Sequence, residues 1–218
     1  MGTGGQDLTE LPPVSVAGHQ PSGLGDPSHP MRVMTRRAAR LEPPPWDDHA
    51  RRTVAAFFDE LAPTWHTRSS EARTAVVLDA LERGGVVGAD TVVEVGSGIG
   101  AYSSLLSDRF ARTISLEISE EMLHRAPADA SHRVLADAAS LPLADGRADA
   151  VVLVNAFLFP VEVDRVLAPG GCVVWVNSSG EETPIHLTAS EVQRALPGTW
   201  RGSSSRAGVG TWCVLRRG

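Results

Sequence analysis

The chain has 218 residues, a formal net charge of -6 and a 42% hydrophobic fraction, ordinary values for a globular protein. An acidic balance supplies no global positive field for nucleic acid or an anionic membrane. All basic side chains besides histidine are arginine, so a Schiff-base lysine and a P-loop lysine are both excluded. No apolar run is long enough to span a bilayer, and no basic-then-apolar leader opens the chain. Cys172 and Cys213 sit in apolar runs, as buried thiols of a cytoplasmic protein would.

Residues 1–45 are rich in Gly, Pro and Ser and read as a disordered tail, with RVMTRRAAR (32–40) a solvated basic patch or, as the alternative, a docking arm for an acidic partner. Residues 46–85 read as an N-terminal helical cap. WDDHARRTVAAFFDELA (46–62) spaces Val54, Phe57, Phe58 and Leu61 as one helical face, with Asp47 and Asp48 in its first turn. SSEARTAVVLDALERGG (69–85) runs from serine caps to a glycine stop. Residues 86–218 form the core domain. TVVEV (91–95), TISLEIS (113–119), HRVLAD (132–137), DAVVLVN (149–155) and CVVWVN (172–177) are near-continuous apolar strands separated by helical patterns. That rhythm implies a parallel sheet covered on both faces. Thr188 and Glu191 make a capping box, and residues 199–205 and 210–217 read as a terminal β-hairpin.

The first core strand runs into VVEVGSGIGAY (92–102), a strand-to-helix turn with glycine at every second position. Ligands of open α/β sheets bind at such carboxyl ends of strands. Gly96, Gly98 and Ala101 also fit a relaxed dinucleotide pattern, so the glycines alone leave the ligand open. Three acids narrow it. Glu94 precedes the loop, where it would repel a pyrophosphate and suits a cationic ligand. Glu117 ends the second strand, placed to accept from ribose hydroxyls in either ligand class. Asp137 ends the third strand, placed to accept from an adenine amino group.

With these stretches in order, together with VLADAASLPLADGRADAVVLVNAF and VLAPGGCVVWV, the chain resembles the class I S-adenosylmethionine-dependent methyltransferases over residues 86–218. The resemblance implies a Rossmann-like α/β fold. Its seven-stranded, mostly parallel sheet has order 3-2-1-4-5-7-6, the last strand antiparallel, with helices on both faces. It implies S-adenosylmethionine as the cofactor and S-adenosylhomocysteine as its product. By position, Glu94 and the loop Gly96, Ser97, Gly98 and Gly100 hold the methionine end, and Glu117 holds the ribose. Ile118 packs on the adenine, Asp137 and Ala138 read its edge, and Asn155 stands beside the methyl group.

Methyl transfer from a sulfonium needs alignment and water exclusion, and a base only where the nucleophile carries a proton. In LAPTWHTR (61–68), Trp65 is a candidate pocket wall and His66 a candidate general base; His186 is a second candidate base. An aromatic staple with a surface histidine would look the same in the sequence. The His, Asp and Glu positions form no metal-ligand set. NAFLFPVEVDRVLAPGG is short, and Phe157, Phe159 and Pro160 make that side of the pocket apolar. No Asn-Pro-Pro-Tyr motif follows the fourth core strand. The expectation is a small-molecule acceptor, methylated on oxygen rather than nitrogen or carbon, with no nucleic acid or membrane partner and a monomeric or homodimeric protein. The alternatives are a non-catalytic S-adenosylmethionine sensor or partner subunit, and an NAD-dependent oxidoreductase. The latter is disfavoured by the missing lysine and by a sole tyrosine, Tyr102, inside the first core helix.

Overall fold

The computed structural model describes residues 8–20, 25–26, 28–127 and 132–218. Its centre is an eight-stranded sheet of order β1-β7-β8-β6-β5-β2-β3-β4. The strands are β1 (Leu8–Glu10), β2 (Thr91–Val95), β3 (Arg112–Glu117), β4 (His132–Leu135), β5 (Ala148–Val154), β6 (Leu167–Asn177), β7 (Trp200–Ala207) and β8 (Gly210–Arg217). Strands β4, β3, β2, β5 and β6 pair in parallel, and β8 runs antiparallel to both β6 and β7. Without β1 this is the seven-stranded order expected from the sequence.

Alternate strand residues divide between the two sheet faces because side chains flip with a period of two. Val93, Val151, Val173 and Leu215 enter one core, and Val92, Val152, Val174 and Val214 enter the other. Apolar residues on both faces are what burial between two layers of helices requires. The second core is closed by α3 (Glu71–Arg83), through Val76, Val77, Ala80 and Leu81, together with Leu106 of α4 (Ser103–Arg109). Helix α3 therefore belongs to the sheet's own covering and not to a separate cap. The first core takes residues from α1 (Pro30–Ala38), α2 (Asp48–Leu61), α6 (Pro160–Val166) and α7 (Ala189–Ala195). Helix α5 (Glu120–Arg125) lies beside α2, and Asp59 ties the two together by accepting from Ser119 Oγ at 2.5 Å. The Thr188–Glu191 capping box at α7 is formed on both sides.

The tail is a correction. Leu8, Thr9 and Glu10 pair in parallel with Gly202, Ser203 and Ser204, adding an eighth strand, and Val14 bridges to Ala207. Residues 30–38 form a helix that buries Met31, Thr35, Arg37 and Ala38. The basic patch is largely tied into the fold, with Arg40 left exposed: Arg37 donates to the carbonyls of Pro44 and Pro45, and Arg36 pairs with Glu42 and with Glu191 at 2.8 Å. The reason is periodicity. Met31, Thr35 and Ala38 share a helical face, a short signal submerged in a Gly- and Pro-rich surround. Residues 1–7, 21–24 and 27 of the expected tail lie outside the described residues.

Candidate active site

A cavity of about 290 Å³ opens at the carboxyl ends of β2, β3, β4, β5 and β6. The turn after β2 forms its floor. Gly96 and Gly98 have φ of 71° and 56°, the left-handed region where a Cβ is strained. A side chain on Gly96 would also meet Ala156 Cβ at 2.7 Å. The amides of Gly96 and Ser97 both donate to the Leu116 carbonyl, which holds the turn against β3.

Glu117 fixes the turn from the other side. Its Oε2 accepts from the Gly98 amide at 2.7 Å, and its Oε1 accepts from the amides of Ile118 and Ser119 at 2.9 Å each. A carboxylate has about four lone-pair directions, so Oε2 keeps one that these amides do not use, and Glu117 is among the residues that line the cavity. Burial pushes the Glu117 carboxyl up, and the three amides oppose that rise. Asp137, after β4, accepts from the Ala139 amide at 2.8 Å and from the Trp46 indole N–H at 3.4 Å. Asn155, after β5, has φ of 50° and clamps Ser178 twice, donating to its Oγ and accepting from its amide, both at 2.8 Å.

These residues line the cavity together: Gly96, Ser97, Gly98, Glu117, Ile118, Asp137, Ala138 and Asn155. Two expected members do not. Glu94 is buried under the turn, 2% exposed, where its Oε2 accepts from Ser103 Oγ and Ser115 Oγ at 2.6 Å each. Strand alternation accounts for this: Val95 faces the cavity and the preceding residue faces away. Gly100 is turned toward Ala126 and Pro127.

Neither histidine expected as a base lines the cavity. Residues 62–68 form a 3-10 helix, in which side chains three apart share a face. Trp65 and Arg68 therefore face the cavity together, and His66 is exposed. His186 follows the lining residues Thr183, Pro184 and Ile185 but does not join them. Burial, with Arg32 nearby, pushes its pKa down.

Other residues, unassigned from the sequence, complete the site. His29, Met31 and Trp46 come from the segment read as a tail or its border, and Arg73 comes from α3. Tyr102 also lines the cavity, and burial pushes its phenol up. Trp46, Phe58, Phe157 and Phe159 form an aromatic roof, with ring centroids 4.9 to 6.5 Å apart in the Trp46–Phe159, Trp46–Phe157 and Phe58–Phe157 pairs. Arg68 lies over the Trp65 ring at 5.1 Å. Among the described residues, neither Arg68 nor Arg73 forms an ion pair with a carboxylate. The amphipathic face of α1 was the one sequence signal for the tail's contribution. Also among the described residues, no His, Cys, Asp and Glu group could hold a metal ion.

An open α/β sheet of this order, with Glu117 ending its second core strand and Asp137 following its third beside a glycine turn, has the Rossmann-like architecture of known methyltransferase folds. Residues 93–175 match the methyltransferase domain family Methyltransf_11. It is 32% identical over 156 residues to a malonyl-[acyl-carrier protein] O-methyltransferase of Pseudescherichia vulneris, covering 67% of this chain and 62% of that protein. It is 36% identical over 110 residues to the protein of the same description from Methylococcus capsulatus (strain ATCC 33009 / NCIMB 11132 / Bath), covering 44% and 40%. The chain thus spans about two-fifths to three-fifths of the length of these curated relatives. The DhpI–SAH complex superposes with a TM-score of 0.61 at 21% identity, over 77% of this chain and 97% of that one, a likeness of fold.

Proposed function

We propose that the protein is an S-adenosylmethionine-dependent methyltransferase acting on a small-molecule acceptor, on oxygen in preference to nitrogen or carbon. The observation that carries this reading is one cavity lined jointly by the glycine turn, Glu117, Asp137 and Asn155. The donor set fits the cofactor. The open lone pair of Glu117 suits a ribose hydroxyl, and Ile118, Asp137 and Ala138 suit the adenine face and edge. Arg68 and Arg73, without carboxylate partners among the described residues, suit the methionine carboxylate. When bound, the sulfonium supplies an activated methyl group, so the protein's own work is alignment and exclusion of water. The turn and Asn155 set the position of the methyl donor. The aromatic roof keeps water out and offers an apolar seat for the acceptor.

Both curated relatives are described as O-methyltransferases, which supports the preference for oxygen. Among the described residues no helix is long and apolar enough to cross a membrane. Both cysteines are free and buried, which fits a reducing cytoplasm. A monomer or a homodimer is the expected assembly, to be measured by light scattering.

Calorimetry with S-adenosylmethionine, S-adenosylhomocysteine and NADH tests the reading. Micromolar-range binding of the two sulfur ligands, lost in Glu117→Ala and Asp137→Ala, is expected. Binding of NADH alone, or of neither sulfur ligand, would overturn it.

A further inference from the structure

Two helices outside the sheet meet at Asp59. It stands on α2, which also sends Phe57, Phe58 and Leu61 into the cavity lining. Its Oδ1 accepts from Ser119 Oγ at 2.5 Å and from the Glu121 amide at 3.3 Å. Both donors belong to the start of α5, whose N-cap is Ser119. One carboxylate thereby joins α2 to α5 and to the end of β3, where Glu117 stands.

Ser119 carries the connection inward. It is fully buried, and each of its donors and acceptors near this junction is committed. Its hydroxyl donates to Asp59, its Oγ accepts from the Met122 amide at 3.0 Å, and its own amide donates to Glu117 Oε1 at 2.9 Å. The Ile118 amide takes the same oxygen at 2.9 Å, so Oε1 is filled. Oε2 keeps one lone pair beyond the one used by the Gly98 amide. The direction of that lone pair depends on where the Ser119 amide stands, and Asp59 holds Ser119 by its side chain. The two carboxylates also sense each other. Burial pushes the Glu117 carboxyl up, the Ser119, Gly98 and Ile118 amides oppose the rise, and the charge of Asp59 adds to it. Neither Asp59 nor Ser119 lines the cavity, so their influence on a ligand passes through Glu117 or through the seating of α2.

We infer that Asp59 is a positioning residue for the ribose site, fixing the plane of the Glu117 carboxylate through Ser119. This rests on the methyltransferase reading and adds to it a residue that touches neither the cofactor nor the reacting atoms. The hydrogen bond from Ser119 Oγ is charge-assisted, hence shorter and stronger than a neutral one, which suits a link that must hold a buried carboxylate in one orientation.

The test uses the full chain and two calorimetric probes, S-adenosylhomocysteine and its dideoxy analogue, which lacks both ribose hydroxyls. The unaltered protein is expected to bind the first at least ~10-fold more tightly. In Asp59→Ala that preference should fall to ~3-fold or less, while the affinity for the analogue changes by less than ~2-fold. Ser119→Ala removes the hydroxyl that joins the two carboxylates and should lose the preference likewise. Asp59→Asn keeps an oxygen for that hydroxyl and should retain most of it. In a Glu117→Gln background, Asp59→Ala should remove nothing further, since both changes act on one contact. A merely structural role would instead weaken both probes together and add to the Glu117→Gln loss. Equal losses for the two probes, a preference intact in Asp59→Ala or Ser119→Ala, one lost as fully in Asp59→Asn as in Asp59→Ala, or an added loss in Glu117→Gln would overturn the inference. So would an unaltered protein indifferent to the two probes. Failure of S-adenosylhomocysteine itself to bind would instead strike the methyltransferase reading.

Discussion

Glu94 allows a prediction whose size follows from its surroundings. The carboxyl lies 2% exposed beneath the glycine turn. Burial, partly offset by the Ser103 and Ser115 hydroxyls and reinforced by nearby Glu117, pushes its pKa from 4.5 to about 7. Between these values the native state binds a proton that the unfolded chain does not. The group's contribution to stability therefore rises as pH falls through about 7 and is complete below 4.5. Above about 7 the charged carboxylate is a cost. A displacement of this size, at ~1.36 kcal/mol per pH unit, is worth about 3 kcal/mol. Glu94→Gln removes the charge and keeps an oxygen for both serines, while its new N–H₂ recovers less than full hydrogen bonding. Urea unfolding near pH ~8.5 should show the variant more stable by about 2–3 kcal/mol, the gap closing toward pH ~4.5. Cofactor affinity should change by less than about threefold, because the side chain does not line the cavity. A variant less stable at pH ~8.5, or a gap independent of pH, would refute the linkage argument. A large loss of cofactor affinity would return Glu94 to the methionine end, where its sequence position had put it.

Two further outcomes follow from local geometry. Gly96→Ala combines a left-handed backbone with a 2.7 Å approach to Ala156 Cβ. It should destabilise by about 2–4 kcal/mol in urea unfolding and weaken S-adenosylhomocysteine binding, since the turn must shift. Thr188→Ala removes one half of the α7 capping box, and Thr188 is not among the residues that line the cavity. It should cost about 1 kcal/mol and leave cofactor binding unchanged by calorimetry.

Much of the fold was legible because the signals are local and repeated. The Val-rich runs, the switch between periods of two and 3.6, and the turn after β2 each announce their element within a few residues. Glu117, Ile118, Asp137, Ala138 and Asn155 were legible for the same reason: each ends a core strand or directly follows one, and the carboxyl ends of parallel strands converge on one edge of the sheet. What misled was a side chain's direction within an element. Glu94 is one residue off the cavity-facing register of β2, His66 is one residue off the Trp65–Arg68 face of its 3-10 helix, and His186 follows the last lining residue of its segment.

The sequence by itself thus determined the order of strands and helices, the parallel core, the turn that receives a ligand and most of the side chains around it. Only the tertiary structure decided that residues 8–10 and 30–38 belong to the fold and that His29, Met31, Trp46, Arg73 and Tyr102 join the site. Strand β1 exists because β7 offers an unpaired edge, and α1 is held by Met31 in the core and by Arg36 and Arg37 reaching Glu191 and the carbonyls of Pro44 and Pro45. Those partners are distant in the chain or become available only after folding. A short helix and a three-residue strand gain most of their stability from such packing and little from their own propensity.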